Sequence, residues 1–308
     1  MHEHSLASLG PNGFHRIAYA EWGDADNPRI VICMHGLTRN RHDFDYLAAH
    51  LAGEFRVVAM DVVGRGDSEW LTEKADYRFS QYQTDAAALI ARVTAPGKSS
   101  WVGRMLGRVP VEPGQVDWIG TSMGGLIGML LAAQRNTPIR RLVLNDVGPL
   151  VPWSGLVRLK GQASGQRTFA TLEKVEAFLR EACAGFGKLS DDQWRHLAQH
   201  GSRQQEDGKF ALSYDPGIMR GLRSGSALDV SLGERLFEGV DLWPVWDKIS
   251  CPTLVLRGAE SEVLTERTAR EVERRGPRAR VIEFPGVGHA PALMDAAQID
   301  PIHRFLLE

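Results

Sequence analysis

Several things are scarce in this chain, and each scarcity excludes a class of protein. No apolar segment approaches the length of a bilayer crossing, and the amino terminus, Met1-His2-Glu3-His4-Ser5, lacks the basic region and apolar stretch of a secretory leader. The cytoplasm is therefore the expected compartment, and no membrane partner is expected. Charge of one sign is not in excess: 36 Lys and Arg face 38 Asp and Glu, for a formal charge of -2. Without a basic field there is no electrostatic reason to expect nucleic acid. Cysteine is limited to Cys33, Cys183 and Cys251, an odd number at wide separations, so no disulfide framework is expected. No Cys or His group stands at metal-ligand spacing, and no glycine loop follows the first strand in dinucleotide-binding form, so neither a metal nor another cofactor is expected. Internal repeats and low-complexity tracts are missing too.

What is present is an alternation of strand-like and helical runs. The strand-like runs are Phe14 to Ala20, Arg29 to Met34, Arg56 to Met60, Val116 to Ile119, Arg140 to Asn145, Thr253 to Arg257 and Arg280 to Phe284. Several are continuously apolar, as strands covered on both faces should be. The pattern predicts an α/β fold with a mostly parallel, doubly wound sheet. Gly10-Pro11-Asn12-Gly13 predicts a turn and an antiparallel hairpin at the amino terminus. Ala95 to Gln115 reads as an exposed excursion. Between Pro149 and Trp246 the rhythm changes to helices and polar loops, including Thr171 to Cys183 and Asp191 to His200. We expect a core domain of residues 1–149 and 246–308 carrying an inserted helical cap, 150–245. The insertion balances 12 basic against 12 acidic residues from 151 to 245 and is rich in aromatics: Trp153, Phe169, Phe178, Phe186, Trp194, Phe210, Phe237 and Trp243. Most of these are expected to pack the cap against the core, and a minority to line a pocket.

The most informative motif is Gly120-Thr121-Ser122-Met123-Gly124, between an apolar run and a small-residue helix start. A serine at so tight a strand-to-helix joint needs small neighbours two residues away on each side, and the glycines at 120 and 124 meet that need. As an isolated five-residue pattern it would be an ordinary turn; its partners make the difference. His289 lies in the glycine-rich loop Pro285-Gly286-Val287-Gly288-His289 directly after the last strand, where it can reach a serine hydroxyl as a general base. His35-Gly36-Leu37-Thr38 follows an earlier buried strand. The backbone N–H groups of Leu37 and Met123 are the candidates for an oxyanion hole, whereas His35 is read as a brace for its loop. For the acid that orients the base, the residues leave three candidates: Glu262, Glu260 and Asp146.

These segments together resemble the α/β-hydrolase superfamily: the strand ending in His35-Gly36, then Asp61-Val62-Val63-Gly64-Arg65-Gly66-Asp67-Ser68, the serine elbow, Leu144-Asn145-Asp146-Val147-Gly148-Pro149, and Gly288-His289-Ala290-Pro291. The resemblance covers nearly the whole chain, least closely the cap. It implies a cofactor-free carboxylic-ester hydrolase acting through an acyl-enzyme on a small-molecule ester, with short or medium acyl chains and soluble pieces of aliphatic polyesters as the first substrates to test. In many such hydrolases the acid is an aspartate in the loop after the seventh strand; Glu262 occupies that position here and is the favoured acid, ahead of Asp146 and Glu260. The glycine-rich Asp61 to Ser68 segment is read as structural support under the site. A serine elbow argues against the dehalogenase and epoxide-hydrolase branches, which place an aspartate there. Carbon–carbon bond hydrolases of ring-cleavage products, and a hydrolase-fold protein that binds a small molecule without turnover, stay open as alternatives. Oligomeric state is not legible.

Overall fold

A computed structural model of the chain describes residues 1–95, 114–155, 157, 167–221 and 239–308. Its centre is an eight-stranded sheet: β1 (His2–Gly10), β2 (Gly13–Trp22), β3 (Ile30–Met34), β4 (Arg56–Met60), β5 (Val116–Thr121), β6 (Ile139–Asn145), β7 (Thr253–Gly258) and β8 (Arg280–Phe284), in the order β1-β2-β4-β3-β5-β6-β7-β8. The hairpin β1/β2 and the β2/β4 pair are antiparallel, and every pairing from β4 to β8 is parallel. This is the predicted architecture, with each strand-like run within a few residues of its expected place.

The two faces of the sheet explain why its central strands do not alternate in polarity. Ile30, Ile32 and Met34 of β3 enter one apolar cluster, with Val58 and Met60 of β4 and the buried face of α2 (Phe79–Thr94). Val31 and Cys33, with Val57 and Ala59, point the other way, onto α1 (Asp45–Leu51) and α7 (Ala296–Leu307). Since a strand sends successive side chains to opposite faces, helices on both sides demand apolar residues at every position. α3 (Met123–Ala132) follows β5 so closely that a Cβ on Gly124 would stand 2.0 Å from the Met34 carbonyl oxygen, and one on Gly120 2.3 Å from that of Gly124. The two small positions in the elbow are thus required by backbone contact.

Between β6 and β7 the chain leaves the sheet and returns through two antiparallel segments, Leu150–Pro152 and Gly239–Asp241. The inserted part contains α4 (Leu172–Ala182), capped by the Thr171 side chain, and α5 (Asp191–Gly201), whose Ser190 and Gln193 form a reciprocal capping box. It also holds short strands that the helical reading did not anticipate, Thr168–Phe169, Phe210–Leu212 and Ser202–Gln204. Two or three residues of strand are too short to leave a periodic signal. Val175, Leu179, Trp194, Leu197 and Ala198 form a separate apolar cluster against Met294, with Phe169, Phe178, Phe186 and Phe210 at its edge. Trp243 instead packs in the core under the sheet, and Trp153 is exposed. Phe237 lies outside the described residues, as does nearly all of the Ala95 to Gln115 stretch. After the insertion, α6 (Glu266–Val272) links β7 to β8. Among the described residues no helix is long and apolar enough to cross a membrane, and Cys33, Cys183 and Cys251 are free thiols.

Candidate active site

Parallel strands deliver their carboxyl ends to one edge of the sheet, which is where open α/β sheets bind ligands. Met34 pairs with Gly120, Thr121 with Asn145, Asn145 with Leu256, and Gly258 with Phe284, so the loops after β3, β5, β6, β7 and β8 all start at one level. Ser122 is the first residue beyond β5, with φ 50° and ψ -113°. A positive φ is costly for a residue with a Cβ, and such strain persists only where the surroundings fix it. Here the fixing groups are the glycine contacts on either side and a hydrogen bond from the Ser122 N–H to the Asn145 carbonyl, 3.0 Å.

Ser122 Oγ lies 2.9 Å from His289 Nε2, and His289 Nδ1 lies 2.7 Å from Asp146 Oδ2. An ionised carboxylate only accepts, so the proton on the imidazole belongs to Nδ1 and the Nε2 lone pair faces the serine hydroxyl. Asp146 is fully buried, at the carboxyl end of β6. Its Oδ1 accepts the Gly258 N–H at 2.8 Å, and its Oδ2 accepts the Ser261 hydroxyl at 2.5 Å besides the imidazole. Burying a carboxylate is tolerable only when donors replace its water, and here three do.

The expectation for the acid therefore needs correction: the carboxylate on His289 is Asp146, not Glu262. The loop after β7 contributes Ser261 instead. Its Oγ also accepts the N–H groups of Val263 and Leu264, at 3.2 and 3.1 Å, which tightens the turn. Val263 and Leu264 are buried in the main core while Glu262 is exposed. Insertion of the two apolar side chains turns the glutamate outward. Glu260 is exposed as well; its N–H donates to the Val287 carbonyl at 2.9 Å, joining the loop to the segment that carries His289.

Of the two residues proposed for the oxyanion hole, Met123 opens α3, where the helix itself leaves N–H groups without partners. Leu37 lies in the loop after β3, pressed on the elbow: a Cβ on Gly36 would stand 3.8 Å from that of Ser122. One residue joins the two, and the sequence signalled only its glycine-rich surroundings. Arg65 is fully buried; its Nε donates to the Leu37 carbonyl at 2.9 Å, and its Nη2 reaches Met123 Sδ at 3.6 Å. The guanidinium lies over the rings of Tyr82 and Tyr77, 5.0 and 5.7 Å from their centroids. His35 completes the brace: its Nε2 accepts the Val62 N–H at 2.9 Å and its Nδ1 donates to the Gly36 carbonyl at 2.7 Å. Burial pushes its pKa down to about 4, so it is neutral at pH 7 and suited to support, as its sequence context indicated.

The inserted segment touches this site. The Gly288 N–H donates to the Gly185 carbonyl at 2.7 Å, and a Cβ on Gly185 would stand 3.0 Å from the His289 nitrogen.

The profile of the alpha/beta hydrolase family matches residues 31–300. A 3-hydroxybutyrate-oligomer hydrolase of Cupriavidus necator is 41% identical over 300 residues, covering 96% of this chain and 94% of its own length. An esterase of Mycobacterium tuberculosis is 28% identical over 276 residues, covering 87% of this chain and 78% of its own. Among solved structures, an alpha/beta hydrolase from Novosphingobium aromaticivorans superposes with a TM-score of 0.79 at 32% identity, covering 99% of this chain and 98% of that one.

Proposed function

The chain belongs to the alpha/beta hydrolase family, and from that premise we propose that it is a serine esterase acting on oligomers of 3-hydroxybutyrate and related short hydroxyacyl esters. The observation that carries the reading is the 2.9 Å approach of Ser122 Oγ to an imidazole already oriented by Asp146. The 3-hydroxybutyrate-oligomer hydrolase at 41% identity supports the substrate class.

In this mechanism Ser122 Oγ attacks the ester carbonyl as His289 Nε2 takes its proton. The carbonyl oxygen becomes an oxyanion held by the N–H groups of Leu37 and Met123. The tetrahedral intermediate collapses, His289 returns the proton to the departing alkoxide, and the alcohol leaves with an acyl group on Ser122. Water, deprotonated by the same imidazole, then attacks the acyl-enzyme and regenerates the serine. Asp146 holds the Nδ1 proton and stabilises the imidazolium formed in each half. The insertion acts as a cap, bounding the acyl pocket where Gly185 meets the His289 loop.

The test is incubation of the purified protein with linear 3-hydroxybutyrate trimer and with a chromogenic butyrate ester. We expect monomer and dimer from the first, a burst of chromophore from the second, and neither from Ser122→Ala. Turnover of both that survives in Ser122→Ala would refute the nucleophile. Binding of trimer with no turnover in the unmodified protein would refute the enzyme.

A further inference from the structure

Away from the esterase site, at the seam between the core and the inserted segment, three imidazoles crowd one carboxylate. His42 belongs to the 3-10 turn Arg41–Phe44 and Asp45 opens α1; His196 and His200 lie one turn apart near the end of α5. His42 Nδ1 is 3.0 Å from Asp45 Oδ2, and His196 Nε2 is 3.4 Å from the same oxygen. The ring of His200 stacks on that of His42 with centroids 3.9 Å apart, and that of His196 lies 4.6 Å from His200. One ligand atom each from His42, Asp45 and His200 fall within 4.8 Å of one another. The other carboxylate oxygen, Asp45 Oδ1, is buried with no hydrogen-bond partner.

Packing alone accounts poorly for this cluster. A buried acceptor without a partner is costly, and packing alone leaves Asp45 Oδ1 in that state. The geometry points to a site for a divalent transition ion of the zinc class, held by His42 Nδ1, Asp45 and His200. Bonds of about 2.0–2.2 Å to a tetrahedral ion put neighbouring ligand atoms roughly 3.3 Å apart, close to the 3.0 Å between His42 Nδ1 and Asp45 Oδ2; the exposed His200 side chain, within 4.8 Å of both, completes the set by turning its ring out of the stack on His42. Asp45 Oδ1 is the atom that a second carboxylate contact would use. Imidazole and carboxylate together favour zinc, cobalt or nickel over magnesium and calcium, which take oxygen ligands. On binding, the ion replaces the proton between His42 Nδ1 and Asp45, and that proton goes to water. His196 donates from Nε2 to the His42 carbonyl at 3.0 Å and orients the turn that carries the ligand.

The ion ties two separate parts of the chain. Asn40 already bridges them, donating from Nδ2 to the His200 carbonyl at 2.8 Å and accepting the His42 N–H at 3.0 Å. Asn40 lies three residues beyond Leu37, so an occupied site anchors α5 beside the loop proposed to hold the oxyanion. The cluster is invisible in sequence because its halves lie more than 150 residues apart, and two histidines one helical turn apart, His196 and His200, do not make a ligand set by themselves.

The experiment uses the full chain, free of any histidine tag and stripped with chelator, titrated with Co²⁺ and then Zn²⁺. We expect one Co²⁺ per chain with the visible ligand-field bands of a four-coordinate nitrogen and oxygen site, displacement of that signal by Zn²⁺ but not by Mg²⁺, and a higher midpoint of thermal unfolding with Zn²⁺. His42→Ala and His200→Asn should each weaken binding at least about tenfold, while His289→Ala should leave it unchanged. His200 is exposed, so its replacement leaves folding intact. Equal affinity in the unmodified protein and His200→Asn, less than one ion per chain at saturation, or loss of binding in His289→Ala would overturn the assignment.

Discussion

Among the described residues two sets of serine, histidine and aspartate are in contact, and only one of them is arranged for proton transfer. In the set at the carboxyl edge of the sheet the imidazole stands in the middle, with Nδ1 on Asp146 and Nε2 on Ser122. In the other set, between the amino-terminal hairpin and α2, the carboxylate stands in the middle. Asp85 Oδ1 accepts the Ser8 hydroxyl at 2.7 Å and lies 2.9 Å from His15 Nε2, and Gln81 donates to the same oxygen at 2.8 Å. The Ser8 hydroxyl donates its hydrogen bond to the carboxylate and no imidazole accepts from it, so it has no general base to make it a nucleophile. The order of contacts decides what the three residue types can do.

Backbone placement separates the sets as well. Ser122 and Asp146 both sit at positive φ, 50° and 55°, just beyond strand ends, where side chains project over the edge of the sheet. Ser8 and His15 are mid-strand partners in the β1/β2 register, facing the sheet's own packing. The first arrangement strains the backbone to expose a hydroxyl; the second uses the same chemistry to pin a hairpin to a helix.

The largest expected effect breaks this comparison at its serines. Ser122→Ala should lower kcat for ester hydrolysis by about 10⁴–10⁶-fold, whereas Ser8→Ala should leave kcat within about twofold. Comparable losses in steady-state assays of the two variants would make the contrast in contact order irrelevant to catalysis. Next come the acids. Asp146→Asn should cost about 10⁴ in kcat by spoiling the tautomer of the base, and Glu262→Gln should stay within about twofold, because Glu262 points to solvent. The opposite ranking would return the acid to the loop after β7.

The third prediction inverts the readout. Asp85→Ala should lower unfolding free energy in urea by about 3–5 kcal/mol, the range for breaking a buried pair, since three donors lose their acceptor. Its kcat per folded molecule should be unchanged. A variant of native stability would show that the knot around Asp85 contributes nothing to the fold.

How much of this was legible before the structure follows from what a linear pattern encodes. The sheet was readable because covering both faces forces continuous apolar runs such as Ile30 to Met34. Ser122 and His289 carry their own local chemistry, a crowded elbow and a glycine-rich loop. The acid was harder, because its identity depends on which of two neighbouring loops turns a carboxylate inward. Asp146 follows β6 directly and is among the candidates; the inward packing of Val263 and Leu264 leaves Ser261 rather than Glu262 on the Asp146 carboxylate, which is held against His289. Arg65 was hidden for a related reason: its contacts, Leu37 and Met123, are far away in the chain.

The smallest expected effect concerns the brace beneath the site. His35 is fully buried and neutral, its pKa held down to about 4 by burial, against an ordinary value of 6.5. Above pH 6.5 neither the folded nor the unfolded chain protonates it, and its contribution to stability is complete. As pH falls below 6.5 the unfolded chain takes up a proton that the folded one refuses, so stability drops until the folded form also protonates near pH 4. A tenfold change in proton affinity corresponds to about 1.4 kcal/mol, which makes the loss from this residue about 3 kcal/mol across the window. Urea unfolding of the unmodified protein between pH 7 and 4 should show that decline, and His35→Gln, which keeps an acceptor for the Val62 N–H but cannot titrate, should flatten it. Equal slopes in the two proteins would mean that His35 protonates freely in the fold and does not brace the loop carrying Leu37.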